Sequence, residues 1–532
     1  MADNLARIND LPPGLYRDDH GMLCHDDSAE PGTAQWLAND RYLMELDGFT
    51  PEEIQEQHER LLSDLESEKR TVSIFTPIID DYVKNKIYFR DTDLLNLELY
   101  ERLGNGRAVY ISEFGRWHRW TGKVWQEDKQ KIEPELIAQE TIRAISALAS
   151  ATADHDKRKK INSWGFKSES EKSRRAMIAG AERSGIFVRK LEQFDIDDYL
   201  FNLQNGTLDL RTGNLHDHNP DDHITKISPC SYDPGAKSEL WEDTVHRAMC
   251  GDSELIDFVQ KYAGLTLTGD ISQKILAFLY GSKGNNGKST IVQTLLHCMG
   301  GYGKQISINT LMAGVKRAPG AASPDIMAMA GRRMIVADET ESEAKFNDRF
   351  VKLLTGRDRI SARGVFKDEV DFMPKMKIWL YGNDKPAIKA SSTAMRNRLR
   401  MIPFDYVFQG AGNDPEAQDK LIHDHANAVF FWMYEGYRKF LEEGISEPAR
   451  VTMATDSYFY EFNKLAQFID EFLVRDQGGE IEFSRLYDMA TDYLGWKMSK
   501  KRFSDTVRTE LGLEVVAGAG NRRIVKGLHE KF

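Results

Sequence analysis

An α/β fold is predicted for the middle of this 532-residue chain, with an α+β region before it and a helix-rich module ending in a two-stranded wing after it. Three stretches carry the prediction. The first is Ala277-Phe278-Leu279-Tyr280, an apolar strand that runs into a glycine-rich turn, Gly281 to Gly287, and then into a helix opening at Lys288-Ser289-Thr290. The second is Arg333-Met334-Ile335-Val336-Ala337, an apolar run that closes on Asp338-Glu339. The third is Lys377-Ile378-Trp379-Leu380-Tyr381-Gly382-Asn383, apolar again and ending in one amide. Runs apolar on both faces read as buried parallel strands.

The bulk numbers bound the rest. A chain of this length is too long for one core, and about 150 residues per domain suggests three or four units. With 41% apolar and 29% charged residues the composition is globular, and a net charge of −12 argues against coating nucleic acid with the whole surface. Any DNA contact is therefore expected to be local. Cys24, Cys230, Cys250 and Cys298 lie far apart without ligand spacing and read as reduced, buried thiols. The first twenty residues carry Asp3, Asp10, Asp18 and Asp19 and no apolar run, and no stretch approaches eighteen apolar residues. No signal peptide, no membrane span and a cytoplasmic location are the expectation.

Residues 1–70 mix turn signals with an acidic helix from Pro51 to Leu62, capped by Thr50, and suggest a solvated face or tether rather than a chemistry. Residues 71–240 form the α+β region. Val109 to Trp125 reads as a hairpin with alternating aromatics and a turn at Thr121-Gly122; its Trp and Arg residues either stack bases of a single strand or pack across the hairpin. Two basic helical stretches follow, Lys157-Arg158-Lys159-Lys160 and Lys172-Ser173-Arg174-Arg175. Asn205-Gly206 then predicts a type I′ turn between strands, with a second turn at Thr212-Gly213. Residues 241–270 read as a helical collar or linker under the α/β core of residues 271–410.

Within that core the glycine-rich turn leaves backbone N–H groups around a concavity, and the helix after it adds the positive end of its dipole. This is a phosphate cradle built from Gly284, Asn285, Asn286, Gly287, Lys288, Ser289 and Thr290. Lys288 would reach the β- and γ-phosphates of ATP and Ser289 would place a hydroxyl on Mg²⁺. The pattern G-x-x-x-x-G-K-[ST] asks for glycine at 282, where this chain has Ser282 between Gly281 and Gly284, so a different turn is expected to start the loop. Asp338 is assigned to Mg²⁺ and Glu339 to the attacking water, because adjacent strand residues face opposite ways. Asn383 is expected to sense the γ-phosphate. Between the acid strand and the Asn strand, Lys352 to Phe372 suggests a projecting hairpin with Phe366 and Lys367 near its tip, suited to single-stranded DNA along with Lys352. Arg396 and Arg398, before the last strand, read as an arginine finger donated to a neighbouring subunit, Arg398 first.

Together, Gly-Asn-Asn-Gly-Lys-Ser-Thr, the Ala-Asp-Glu strand, Lys-Leu-Leu-Thr-Gly-Arg-Asp, Gly-Asn-Asp-Lys-Pro and Arg-Asn-Arg-Leu-Arg-x-Ile-Pro-Phe resemble superfamily 3 helicases of the phage/plasmid primase C-terminal family, which include the poxvirus primase-helicases. Asn205 to Leu210 with Trp241 resembles that family's companion N-terminal domain. The resemblance implies an AAA+-like P-loop ATPase core, a hexameric ring with ATP between subunits, and 3′–5′ tracking on single-stranded or forked DNA, alongside replication partner proteins. Lys288, Ser289, Asp338, Glu339, Asn383 and Arg398 carry over as its catalytic set.

Residues 411–464 read as a helical lid. Residues 465–532 read as helix, helix, basic helix and wing, which looks like a winged helix with Lys500, Lys501 and Arg502 in a helix capped by Ser499; such a domain serves either DNA or protein contacts. The expected function is an ATP-dependent, ring-forming replicative DNA helicase of a phage or mobile element. Two alternatives stay open: an initiator ATPase that melts DNA without processive unwinding, and a primase-helicase whose primase lies in residues 1–100.

Overall fold

The computed structural model describes residues 15–17, 23–25, 55, 75–314, 322–338, 345–363, 369–388, 392–410, 413–495, 498–518, 520 and 522–531. They form two compact units, one of residues 1–110 and 128–188, the other of residues 111–127 and 189–532. No helix among the described residues is long and apolar enough to cross a membrane.

In the first unit a short antiparallel pair joins Leu15–Arg17 to Leu23–His25. The acidic helix expected from Pro51 lies outside the described residues except for Gln55, which is helical and exposed. After a helical stretch at residues 75–83 come α1 (Asp93–Gly104), α2 (Ile132–Ser150), α3 (His155–Ser168) and α4 (Glu171–Ala181). Asp154 starts α3 by accepting from the backbone N–H groups of Asp156 and Lys157, which satisfies donors that a helix start leaves orphaned. Leu99, Tyr100, Ile137, Ile145, Leu148, Ile161 and Trp164 are buried. A polar chain crosses this core: Trp164 Nε1 donates to Asn96 Oδ1 at 2.8 Å, and Asn96 Nδ2 donates to Ser168 Oγ at 3.0 Å.

The second unit opens with two hairpin systems. Strand β1 (Arg116–Trp120) pairs with β2 (Trp125–Glu127), with Gly122 in the left-handed region at φ 89°. Trp117 and Trp125 are buried, and Trp120 lies directly across from Trp125 with ring centroids 5.6 Å apart. These aromatics therefore pack across the hairpin, and two of the three are out of reach of a base.

Strands β3 (Leu200–Leu203), β4 (Gly206–Asp209) and β5 (Asn214–His216) form a three-stranded sheet. Leu203 pairs with Gly206, so the two-residue loop is Gln204-Asn205 and not the expected Asn205-Gly206. Neither loop residue has positive φ, which excludes a type I′ turn. A tertiary contact overrides the turn preference: Asn205 Nδ2 donates to Tyr232 O and Tyr232 N donates to Asn205 Oδ1, both at 2.9 Å. Gly206 is needed because a Cβ there would stand 2.6 Å from the His216 carbonyl.

Helices α5 (Glu239–Ala248) and α6 (Ser253–Thr266) lead to the central sheet. Its strands are β6 (Leu276–Tyr280), β7 (Gly303–Gln305), β8 (Met334–Asp338), β11 (Lys377–Gly382) and β12 (Leu399–Pro403), all parallel, in the order β7-β8-β11-β6-β12. Between β8 and β11 the chain forms α8 (Asp348–Leu354) and the antiparallel pair β9 (Ile360–Arg363) and β10 (Glu369–Phe372).

Both sheet faces are covered, as the continuous apolar runs require. Ala277, Leu279, Met334, Val336 and Trp379 pack with Ile291, Val292 and Leu295 of α7 (Lys288–Met299). Phe278, Ile335, Ala337, Ile378 and Leu380 pack with Val351 and Leu354 of α8 and with Tyr458 and Phe459 of α12 (Ala449–Glu461). Before β12 stands the one-turn helix α9 (Thr393–Arg396).

After β12 come α10 (Ala417–His423) and α11 (Ala426–Glu443). Residues 411–464 were expected to be a lid, but α11 packs into the interior against α6 and α7, with Val429, Phe430, Met433 and Tyr437 buried. Its backbone meets that of α6 directly. A Cβ on Gly264 would lie 2.0 Å from Tyr437 N, and one on Gly436 would lie 2.1 Å from Gln260 O.

The chain ends with α13 (Lys464–Phe472), β13 (Leu473–Glu482), α14 (Phe483–Leu494), α15 (Lys500–Leu511), β14 (Val515–Ala517) and β15 (Arg523–Glu530). The sheet order is β13-β15-β14, so an unexpected third strand backs the wing.

Cys230 and Cys298 are buried together, each thiol on the Ala426 carbonyl at 3.5 Å. Cys250 departs from the expectation of buried thiols: it is exposed, in a left-handed turn after α5.

Candidate functional site

The cradle sits at the carboxyl end of β6 and the start of α7. Gly281 has no room for a side chain, because a Cβ would stand 2.4 Å from the Phe404 carbonyl, whereas Gly284 faces open space. The glycine that the loop needs is therefore at 281, one residue before the consensus position. Asn285 and Gly287 take left-handed conformations, at φ 60° and 79°, and turn the chain into the helix.

Lys288 is buried at the mouth of this loop and uses all three of its donors on neutral acceptors: Gly281 O at 3.1 Å, Asn286 Oδ1 at 3.0 Å and Asn383 Oδ1 at 3.0 Å. None of the described carboxylates pairs with it, and burial pushes its pKa below the ordinary lysine range. A desolvated ammonium without a counter-ion is a site for an anion. The Ser289 side chain is exposed and its hydroxyl has no hydrogen-bond partner among the described residues. Thr290 is half-buried in the next helical position.

Asp338 ends β8 on the face that carries α7, the same face as Met334 and Val336. It accepts from Gln305 Nε2 at 3.0 Å and from Tyr381 Oη at 3.1 Å, and that hydroxyl in turn accepts from Gln293 Nε2 at 3.2 Å. Because β11 lies between β8 and β6, Asp338 and Asn383 flank the cradle from adjacent strands. Glu339 lies outside the described residues.

The segment after β12 closes one side of the loop. Phe408 N donates to Asn285 O at 2.8 Å, Asn285 Nδ2 donates back to Phe408 O, and Asn286 Nδ2 donates to Tyr406 O at 2.6 Å. The Phe408 ring stands against Gly287, and the Arg247 guanidinium lies 5.4 Å and 4.8 Å from the Tyr406 and Phe408 ring centres. The sequence reading missed this clamp, whose one local signal is the pair of aromatics two apart directly after the last strand.

The two candidate finger residues differ. Arg398 is buried, with Nε donating to Thr355 Oγ1 at 2.7 Å and Nη1 donating to Ala394 O at 2.8 Å, and burial lowers its pKa. Arg396 is half-exposed, paired with Asp456 and 5.1 Å from the Phe459 ring centre. Packing separates the two: Arg398, expected first, is committed to oxygens of its own chain, and Arg396 is the guanidinium that faces outward. Both precede the start of β12, where Leu399 pairs with Leu276, while the cradle follows Tyr280 at the other end. Five strand residues at ~3.3 Å each separate them by roughly 16 Å.

Lys352 is exposed on α8, beside a cleft of about 390 Å³ shared with Asn347, Arg349, Phe350 and Asp358. The hairpin expected beyond it exists as β9 and β10; Phe366 and Lys367, between the strands, lie outside the described residues. Lys500, Lys501 and Arg502 are exposed in the first turn of α15, which Ser499 caps by accepting from Arg502 N.

Comparison with known proteins adds a second line. Residues 97–250 match a family described as D5 N terminal like, and residues 279–398 match a family of unknown function that spans the cradle, Asp338, Asn383 and Arg398. The chain is 26% identical over 307 residues to "Putative helicase L207/L206" of Acanthamoeba polyphaga mimivirus, covering 54% of this chain and 32% of that protein. It is 28% identical over 254 residues to "Putative helicase 022R" of Frog virus 3 (isolate Goorha), covering 44% and 26%. It thus spans about a third or less of the length of these relatives. In fold it is similar to the apo C terminal region of NrS-1, with a TM-score of 0.50, 9% identity, and coverage of 82% of this chain and 100% of that one. Residues 97–250 are thus similar to the D5 N terminal like family, and the chain is similar to helicase-named proteins of large DNA viruses, in keeping with its motif series.

Proposed function

We propose that this chain is the motor subunit of an ATP-dependent DNA helicase, and that its cradle holds the triphosphate of ATP. The observation that carries the reading is the convergence on Lys288 of Gly281, Asn286 and Asn383 with no carboxylate among the described residues, beside Asp338 on the same face. Phosphate oxygens would replace the neutral acceptors on the ammonium and relieve its desolvation. The donor set also fits Mg²⁺, since the Ser289 hydroxyl has no hydrogen-bond partner among the described residues and Asp338 is held by two neutral donors. When bound, Mg²⁺ neutralises developing charge on the phosphates. Asn383, in reach of Lys288, would report the γ-phosphate, and Glu339 would orient the attacking water.

Catalysis is completed by a second copy. Arg396 lies at the far end of the sheet from its own cradle, so its guanidinium serves a neighbour's triphosphate, which calls for a ring of identical subunits; six is the number the resemblance implies. The helicase reading is supported by the names of the viral relatives. The β9–β10 hairpin with Phe366 and Lys367, and Lys352 beside it, would grip single-stranded DNA, with 3′–5′ movement expected from the resemblance. The order helix, strand, helix, helix, strand, strand after residue 464 supports a winged helix with Lys500, Lys501 and Arg502 facing phosphates.

Unwinding of a forked DNA duplex with ATP tests the reading. The parent protein separates the strands, and Lys288→Ala abolishes separation while leaving its assembly state unchanged. Strand separation by Lys288→Ala at the parent rate would refute it.

A further inference from the structure

A second cleft, of about 780 Å³, opens in the same unit at the opposite end of the central sheet from the cradle. Gly301, at one wall, follows the carboxyl end of α7, whose twelve residues at ~1.5 Å each put it roughly 18 Å from the loop that starts the helix. Arg332 enters from just before β8, whose other end bears Asp338. Lys123 and Gln126 come from the β1–β2 hairpin, Gln204 from the β3–β4 turn, and Lys226 from the segment after β5.

The lining is rich in donors. It includes Lys123, Lys226 and Arg332 and, among the described residues, no carboxylate, in a chain whose net charge is −12. Lys226 is matched from behind by Asp195, which accepts its ammonium at 2.6 Å and the Thr225 N–H at 2.9 Å. The other two cations have no such match. Lys123 Nζ rests on Gln204 O at 2.7 Å and Gln204 Oε1 at 3.2 Å. Arg332 donates Nε to Ala328 O at 3.4 Å and Nη1 to Gly301 O, which leaves Nη2 without a hydrogen bond among the described residues. It forms no ion pair with a described carboxylate; burial lowers its pKa and outweighs the more distant attraction of Asp195, which raises it. A partly desolvated fork donor with an idle nitrogen matches the geometry of a phosphoryl oxygen pair.

We propose that this cleft is an anion site separate from the cradle, in which Arg332 and Lys123 grip phosphoryl groups, either of a free phosphorylated ligand or of a nucleic-acid backbone. It stands independently of the ATPase reading.

The test uses the full chain carrying Lys288→Ala, so that the cradle is silent, with two probes: sodium pyrophosphate and a labelled twelve-residue oligothymidylate. At least one of them binds, and Lys123→Glu and Arg332→Gln each weaken that binding by about tenfold or more, as removal of a charge-assisted hydrogen bond does. For the oligonucleotide the log–log salt slope also falls by about 0.7 for each phosphate no longer neutralised. Weakening in the pyrophosphate arm assigns the site to a free phosphorylated ligand, and weakening in the oligothymidylate arm alone assigns it to a strand. Absence of binding by both probes, or binding that neither substitution changes, overturns the proposal. Lys123 is exposed, so its variant melts with the parent and keeps the test decisive even where Arg332→Gln does not fold.

Discussion

At the scale of single residues, the chemistry turns on how burial treats two cations. Lys288 is held below the ordinary lysine range by desolvation alone. Between its folded and unfolded pKa the unfolded chain binds more protons, so this residue's contribution to stability rises with pH across that window. Binding runs the other way. On the proposed reading a triphosphate needs the ammonium, so ATP affinity is expected to fall as pH rises through the lowered pKa, at a pH where a surface lysine would still be charged. Fluorescent-nucleotide titration over alkaline pH would show this fall, and Lys288→Arg, whose charge does not titrate, would bind with a flatter profile. Arg398 and Arg396 separate in the same way. Arg398→Ala strands the Thr355 hydroxyl and the Ala394 carbonyl and is expected to cost about 2 kcal/mol of stability. Arg396→Ala, on an exposed pair, is expected to leave the melting temperature near that of the parent while lowering ATP turnover by orders of magnitude, as removal of an arginine finger does. Melting curves and ATPase rates on both variants decide between the two assignments.

At the scale of elements, the fold rests on one close helix crossing and one doubly covered sheet. Gly264→Ala would drive a methyl group into the Tyr437 amide of α11, and overpacking of that kind is expected to destabilise by about 3 kcal/mol. Gly284→Ala, where nothing stands within 4 Å, serves as the fold-neutral control. Thermal unfolding of the pair checks both. Strands β8 and β11 were legible because each is an apolar run that leads to a polar residue, Asp338 and Asn383, so period and terminus agree on where the chemistry sits; the short β7, Gly303–Gln305, with two exposed polar residues, carries no such signal. What sequence could not show is contact between distant segments. Asn205-Gly206 carries a hairpin signal, yet Asn205 is taken by Tyr232 and the turn moves back one residue. Gln293, Gln305 and Tyr381 are neutral and unremarkable in spacing, and only the parallel register brings them to Asp338. The Tyr406–Phe408 clamp and the burial of Arg398 are tertiary for the same reason. Ser282, which breaks the loop consensus, becomes intelligible once Gly281 is seen to carry the steric demand.

At the scale of the whole molecule, a net charge of −12 means that the proposed grip on DNA would rest on local cations. Affinity for single-stranded DNA is accordingly expected to fall with salt with a slope set by a few cations, and Lys352→Ala should lower that slope by about 0.7, read from titrations at several salt concentrations. The distance between the cradle and Arg396 of the same chain is the ground for proposing that neighbouring copies share one nucleotide site. Mixing two inert variants tests this most directly: Lys288→Ala lacks a working cradle but keeps its arginine, and Arg396→Ala lacks the arginine but keeps its cradle. If the site is shared, each alone hydrolyses almost no ATP and the mixture regains activity at the seams where an intact cradle meets an intact Arg396. Full activity of Arg396→Ala alone, or no recovery in mixtures shown to contain both chains in one assembly, would contradict a nucleotide site built between subunits.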